Sequence, residues 1–191
     1  MAKARLFVAL ELPDDLRETV VDWQRRELTD PALRPVKPES LHMTLVFLGH
    51  REERDIDRIA EAGVLGVEAR ALEAELAAEP VGLPRGKRPR LFALDAPSEG
   101  AVELQGRVEA RLVDAGFHEA EKRPFWPHLT VARVRPEKGG GGRRPAAVER
   151  PPGPLDRTHV WCPTRLVLFR SHLRRSGAEY EPMAALELPT A

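Results

Sequence analysis

Leu41-His42-Met43-Thr44-Leu45 and Pro127-His128-Leu129-Thr130-Val131 decide how this chain is read. In both, a histidine and a threonine stand two residues apart among apolar neighbours. On a strand, side chains alternate between faces, so each histidine shares a face with its threonine while the leucines, Met43 and Val131 turn the other way into a core. On a helix the same spacing would set the two polar groups about 200° apart. Only the strand reading gathers them. The histidines are separated by 128 − 42 = 86 residues, with a helix-containing segment before each motif, which predicts two halves built alike. If the two strands face each other across a cleft, two imidazoles and two hydroxyls surround one point.

The flanking segments support this layout. Arg5 to Leu10 is β-rich, and Pro13-Asp14-Asp15 supplies a helix start. Leu16, Val20 and Trp23 then recur at helical spacing, and the helix is expected to end before Asp30-Pro31. The first motif opens an apolar run of strand length, Leu41 to Gly49. A second helix fits after Glu52, with Ile56, Ile59 and Gly63 on one face. Ala71 to Ala78 has helix-forming residues but alternates as a strand does, and is read as a strand. A basic loop from Pro84 to Arg90 leads into a strand ending at Asp95. A third helix follows from about Glu99, carrying Leu104, Val108 and Leu112 and stopping at Gly116. Pro136 to Pro154, with four glycines from Gly139 to Gly142, reads as an exposed, flexible loop. Arg165 to Phe169 and Ala184 to Leu188 read as closing strands. Strands and helices mingle without a regular βαβ rhythm, so the fold class is α+β with mainly antiparallel sheets. Residues 1–191 are expected to form one domain, with two lobes.

Composition narrows the function classes. Hydrophobic residues make up 42% and charged residues 31% of 191 positions, an ordinary balance for a folded domain. Lys plus Arg equals Asp plus Glu at 30 each, so no long-range field draws in a polyanion, and extensive duplex binding is not expected. A small or terminal anion needs only a local basic patch. The single Cys162 cannot form an internal disulfide, which suits a reducing cytoplasm. No stretch approaches the roughly 20 apolar residues of a membrane span, and no leader pattern follows Met1.

Two histidines and two threonines around one point suit phosphate chemistry. Opening a cyclic phosphodiester with water requires a base for the nucleophile and an acid for the departing alkoxide. Histidine titrates near neutrality, so one neutral and one protonated copy can coexist. Threonine hydroxyls can donate to the non-bridging oxygens as charge builds there. A lone His-x-Thr is ordinarily a histidine that has found a hydrogen-bond partner; the second copy gives the pattern its meaning. No His-Glu-x-x-His is present, and His159 with Cys162 offers two ligands where structural zinc takes four, so neither metal nor cofactor is expected. His50, His118 and His172 lack patterned partners.

These residues resemble the RNA 2′,3′-cyclic phosphodiesterases, also known as the 2′-5′ RNA ligase family, within the two-histidine phosphoesterase superfamily. The resemblance spans most of the chain: Arg5 to Leu10, Leu41 to Gly49, Arg123 to Arg133, and Leu168 to Leu173 followed by Gly177-Ala-Glu-Tyr180. It implies a bilobal fold of two pseudo-symmetric halves around a central cleft. By motif, it implies His42 as proton donor to the leaving 3′-oxygen and His128 as proton acceptor from water, giving a 2′-phosphate. Thr44 and Thr130 would hold the phosphate, with Arg123 and Arg133 as further anion contacts. Arg133 lies three residues after Thr130, so strict alternation aims it away from the site unless a bulge brings it round. The implied ligands are RNA ends or nucleotides carrying a 2′,3′-cyclic phosphate, with no membrane and no obligate protein partner. Two other readings share the cleft: a nucleotide-binding module without turnover, and 2′-5′ RNA ligation as the reverse reaction.

Overall fold

The computed structural model describes residues 2–137, 144–154, 158–174 and 177–189. In chain order the elements are β1 (Lys3–Glu11), α1 (Asp14–Glu27), β2 (Leu33–Pro35), β3 (His42–Glu52), α2 (Ile56–Ala60), β4 (Ala74–Leu76), β5 (Pro80–Leu83), β6 (Leu91–Asp95), α3 (Glu99–Asp114), β7 (His128–Val134), β8 (His159–Trp161), β9 (Arg165–Arg174) and β10 (Gly177–Glu187). A helical turn at Pro38–Ser40 precedes β3, and a wide turn at Glu61–Leu65 prolongs α2. The strands form two four-stranded sheets, ordered β10-β9-β1-β3 and β2-β7-β6-β5, and a small β4-β8 pair. Every pairing is antiparallel. The α+β expectation holds, and the two motifs open β3 and β7, one in each sheet.

A single contiguous core runs beneath both sheets, taking Leu6, Val8, Leu10 and Met43 from the first and Phe92, Leu94, Leu129 and Val131 from the second. Helix α1 buries Leu16, Val20 and Trp23, and α3 buries Leu104, Val108 and Leu112, the faces expected from their spacing. The helices also tie the halves together. Helix α3 follows β6 of the second sheet but packs against β3 of the first. Helix α1 follows β1 of the first sheet, yet Gln24 donates to the carbonyls of Val36 and Val131 at the second.

Several segments depart from the sequence reading. Strands β2, β5 and β8 have three or four residues each, too few to leave a periodic signature. The strand expected over Ala71 to Ala78 shrinks to Ala74–Leu76. β10 begins at Gly177 rather than Ala184; Pro182 is tolerated because β10 is an edge strand and bulges at Met183. The stretch from Pro136 to Pro154, expected to be an exposed loop, is held to the body where it is described. Arg135 and Glu137 pair with Ala146 and Arg144. Trp23 Nε1–H donates to the Pro152 carbonyl at 2.9 Å. A Cβ on Gly153 would fall 1.6 Å from the Ala78 carbonyl oxygen, so only glycine fits there. Among its described residues, this segment touches the body at these points. The glycine run Gly139–Gly142 lies outside the described residues.

One irregularity positions the site. Along β7, Thr130 and Ala132 face Ala93 and Phe92, which are consecutive, so Val131 is an extra residue; along β3, Thr44 and Val46 face Ala9 and Val8, so Leu45 is extra. Each motif strand therefore bulges directly after its threonine and resets the alternation. The extra carbonyl of Val131 accepts from Gln24 at 2.8 Å and from the Val36 N–H at 3.0 Å. Replacing Gln24, which is buried, by leucine leaves two carbonyls short of a donor and should cost about 1–3 kcal/mol in urea unfolding. An unchanged unfolding midpoint would mean that the Val36 N–H suffices to pin the bulge.

Candidate active site

His42, Thr44, His128 and Thr130 line one cleft of about 550 Å³ between the sheets. Their orientation follows from two short bonds. His42 Nδ1 lies 2.8 Å from the carbonyl of Ser40, and His128 Nδ1 lies 2.7 Å from the carbonyl of Trp126. A carbonyl only accepts, so each Nδ1 carries the hydrogen and each Nε2 is left for proton exchange. His42 Nε2 is 3.0 Å from Thr44 Oγ1, tying the pair that alternation placed on one face.

Aromatic rings back both imidazoles. His42 packs against Phe7, with ring centroids 4.9 Å apart, and meets the edge of Tyr180 at 5.2 Å. Phe7, Phe169 and Tyr180 belong to a small apolar cluster on the cleft face of the first sheet, apart from the main core. His128 stacks on Trp126 at 4.1 Å, and the Trp126 indole N–H donates to Asp95 Oδ1 at 2.8 Å. These aromatics lie within the segments that carry the family resemblance, but the sequence gives them no part in the site. Trp126 stands only two residues before His128, whereas Phe7, Phe169 and Tyr180 meet His42 through tertiary structure alone, so no local pattern marks those three.

The profile of the 2′-5′ RNA ligase superfamily matches residues 12–162 of this sequence. The chain belongs to that superfamily. A Thermus thermophilus relative named RNA 2′,3′-cyclic phosphodiesterase is 31% identical over 193 aligned positions, covering 96% of this chain and 90% of its own. The Escherichia coli protein of the same name is 27% identical, covering 94% and 93%. Among solved structures, TT0787 of Thermus thermophilus superposes with a TM-score of 0.78 at 28% identity over 97% of this chain and 98% of that one. Escherichia coli LigT in complex with 3′-AMP gives 0.74 at 25% identity over 98% and 99%. The architecture is thus the bilobal two-histidine phosphoesterase fold of this superfamily.

Within that fold the two arginines part company. The bulge after Thr130 turns Arg133 into the cleft, whereas Arg123 is exposed in a separate depression beside Arg51, Phe117 and His118, outside the cleft lining. Phe47, 45% exposed, holds on β3 the position that Arg133 holds on β7, with the Arg5 guanidinium 4.7 Å above its ring. Of the unpatterned histidines, His118 sits 3.5 Å from Glu109 and His172 sits 2.9 Å from Glu181. Among the described residues, no three or more His, Cys, Asp or Glu side chains stand close enough to hold a metal ion.

Burial of the His42 ring drives its pKa down from 6.5 to about 4; the Ser40 carbonyl opposes this, and the nearby charges of His128, Arg133 and Arg17 add to it. In the unliganded superfamily member His42 is therefore neutral at pH 7. A histidine with a depressed folded-state pKa contributes stability that is complete above 6.5 and lost on acidification, since the unfolded chain takes the proton first. Between about pH 7.5 and about pH 5 this loss comes to about 2 kcal/mol. Urea unfolding at those two values should show a drop in stability that is larger by that amount in wild type than in His42→Gln. Equal drops would show that burial does not suppress His42 protonation.

Proposed function

We propose that this protein hydrolyses the 2′,3′-cyclic phosphate at an RNA end to a 2′-phosphate, using His42 as proton donor and His128 as proton acceptor. The observation that carries this reading is the pair of carbonyl-locked imidazoles in one cation-lined cleft, each with its Nε2 left for proton transfer. Several relatives bear the name RNA 2′,3′-cyclic phosphodiesterase. His128 Nε2 takes a proton from water as its oxygen attacks phosphorus. The bond from phosphorus to the 3′-oxygen breaks, and His42 delivers a proton to that oxygen. Thr44 and Thr130 donate to the non-bridging oxygens, and Arg133 offsets their charge. Arg123, outside the cleft lining, has no part in this step.

His42 cannot donate a proton that it does not hold. The substrate resolves this, because an anion beside a buried imidazole favours the protonated form. The reading thus makes proton loading of His42 dependent on substrate. Acid, base and anion donors all come from side chains, so activity is expected to survive a chelator. The reading also places the enzyme in the cytoplasm with RNA ends; no helix among the described residues is long and apolar enough to cross a membrane.

Replacing either histidine by alanine should lower the rate by roughly 10²- to 10⁴-fold, and Thr44→Val or Thr130→Val by roughly 10²- to 10³-fold. The pH profiles of kcat/KM assign the roles. With His128 replaced, the residual activity should require protonated His42 and fall as pH rises past the His42 value of about 4. With His42 replaced, it should instead rise with pH and level off, having lost its alkaline limb. The reverse pair of profiles would exchange donor and acceptor, and a wild-type profile with no histidine-dependent limb would remove acid–base catalysis from the account.

A further inference from the structure

The carbonyl that orients His42 belongs to a short turn, and that turn must itself be held. Pro38–Ser40 lies just before β3, past the point where β3 is paired, since the β1–β3 ladder ends at Glu11 opposite His42. Among the described residues, no backbone bond joins Leu12 or Pro13 to the turn. The turn's own bonds are local: the Ser40 N–H donates to the Lys37 carbonyl at 2.8 Å, and the Leu41 N–H to the Pro38 carbonyl at 3.2 Å. The buried Ser40 hydroxyl has no hydrogen-bond partner among the described residues.

Arg17 supplies the missing tie. From the start of α1 its guanidinium donates through one terminal nitrogen to the Pro38 carbonyl at 2.8 Å and through the other to the Leu12 carbonyl at 3.0 Å. Leu12 follows β1 and Pro38 precedes β3, so one planar fork closes the gap where the ladder stops. Both bonds are charge-assisted, the stronger class of hydrogen bond. Asp14, 98% exposed and 3.8 Å away, makes an ion pair of the kind that contributes little. Arg17 does not line the cleft. Any effect it has on the chemistry passes through the turn or through its charge.

We propose that Arg17 is a positioning residue for His42: by clamping the Pro38–Ser40 turn to the exit of β1, it fixes the Ser40 carbonyl that aims the His42 ring. The inference rests on the phosphodiesterase reading above and deepens it, giving the proton donor a support outside the cleft. Charge alone would act with the opposite sign. The charges bearing on His42 are those of His128 and Arg133 from β7 and Arg17 from α1, and all three disfavour its protonated form. Glu11, its partner on β1, is engaged by Arg165 at 2.6 Å, and Tyr180 of β10 meets the ring edge-on. Removing only a positive charge would ease protonation of His42 and so help a proton donor. Removing the clamp instead loosens the bond to the Ser40 carbonyl, which favours the protonated ring, and misaims Nε2.

The test follows turnover of adenosine 2′,3′-cyclic phosphate by Arg17→Met and Arg17→Lys, each alone and combined with His42→Ala, well below the unfolding midpoint of every variant. Arg17→Met should lower kcat by about 10²-fold with KM little changed, the scale on which misplacing a reacting group by about 1 Å is felt. Arg17→Lys keeps the charge but reaches only one carbonyl, and should recover part of that loss; should Arg17→Met not fold, Arg17→Lys carries the same cycle. In the His42→Ala background the Arg17 substitution should cost less than about twofold, because the ring it aims is gone. An equal fractional loss with and without His42 would make Arg17 a merely structural residue and overturn the proposal. A rise in kcat in Arg17→Met, the signature of charge alone, would overturn it too. The ¹⁵N-edited NMR signal of the His42 Nδ1–H supplies a readout besides activity: it should broaden or vanish when Arg17 is replaced and persist in His128→Ala. A signal unchanged by the Arg17 substitutions would overturn the clamp and leave the phosphodiesterase reading intact, whereas absence of turnover by wild type would overturn that reading itself.

Discussion

Each catalytic candidate depends on a bond from Nδ1–H to a main-chain carbonyl two residues upstream, Ser40 for His42 and Trp126 for His128. An imidazole on a strand has two tautomers and two ring flips available, and only a fixed acceptor for the hydrogen of one nitrogen leaves the other correctly aimed and free to exchange a proton. The local sequence supplies that fixed acceptor. Pro38-Glu39-Ser40 turns the chain before β3, and Trp126-Pro127 precedes β7, so in both places the carbonyl at position −2 is not used up by a ladder. The aromatic backing does the rest, holding the ring plane while excluding water from one side. At His42 that exclusion is deep enough to suppress protonation in the free protein. The packing that orients the ring thus also sets its charge.

The two halves repeat a backbone device more faithfully than they repeat chemistry. On both β3 and β7 the order is histidine, buried residue, threonine, two buried residues, then a side chain returned to the cleft by the bulge. That last position is Phe47 in one half and Arg133 in the other. The same backbone path therefore serves an apolar, stackable wall on one side and a cationic wall on the other. A pseudo-symmetric scaffold holding asymmetric side chains suits a substrate that is itself polar along its backbone and aromatic at its bases.

Much of this was legible in the sequence, and the limits have physical reasons. The His-x-Thr pairs could be read because strand alternation is rigid over three residues and the intervening Met43 and Leu129 are strongly apolar. Helices α1 and α3 could be read because their apolar residues recur over three or more turns. Arg133 could not be placed by alternation alone, since that rule fails at a bulge. Yet the sequence carries a trace of it: Leu45-Val46 and Val131-Ala132 are adjacent buried pairs where strict alternation would put the second residue in the cleft. Phe7 and Tyr180 leave no such trace. An aromatic beside a histidine in space needs no fixed spacing in the chain, and Tyr180 reaches His42 from 138 residues away. Arg123 shows the converse, since closeness to a motif in sequence did not bring it into the lining of the cleft.

A neutral protein with a cationic cleft differs physically from a uniformly basic one. At physiological salt, charge is screened over about 8 Å, so a balanced surface gives little guidance to a distant polyanion, while a cleft wall within that range acts at nearly full strength. The cations that line this cleft are therefore felt mainly by phosphates already inside it. Extended duplexes, which press a charged cylinder against a broad face, gain little from such an arrangement, because the excess positive charge is concave and local. A small or terminal anion gains the most, since it can enter the cleft. Which anions the cleft favours then follows from where the charge sits rather than from how much of it the protein carries.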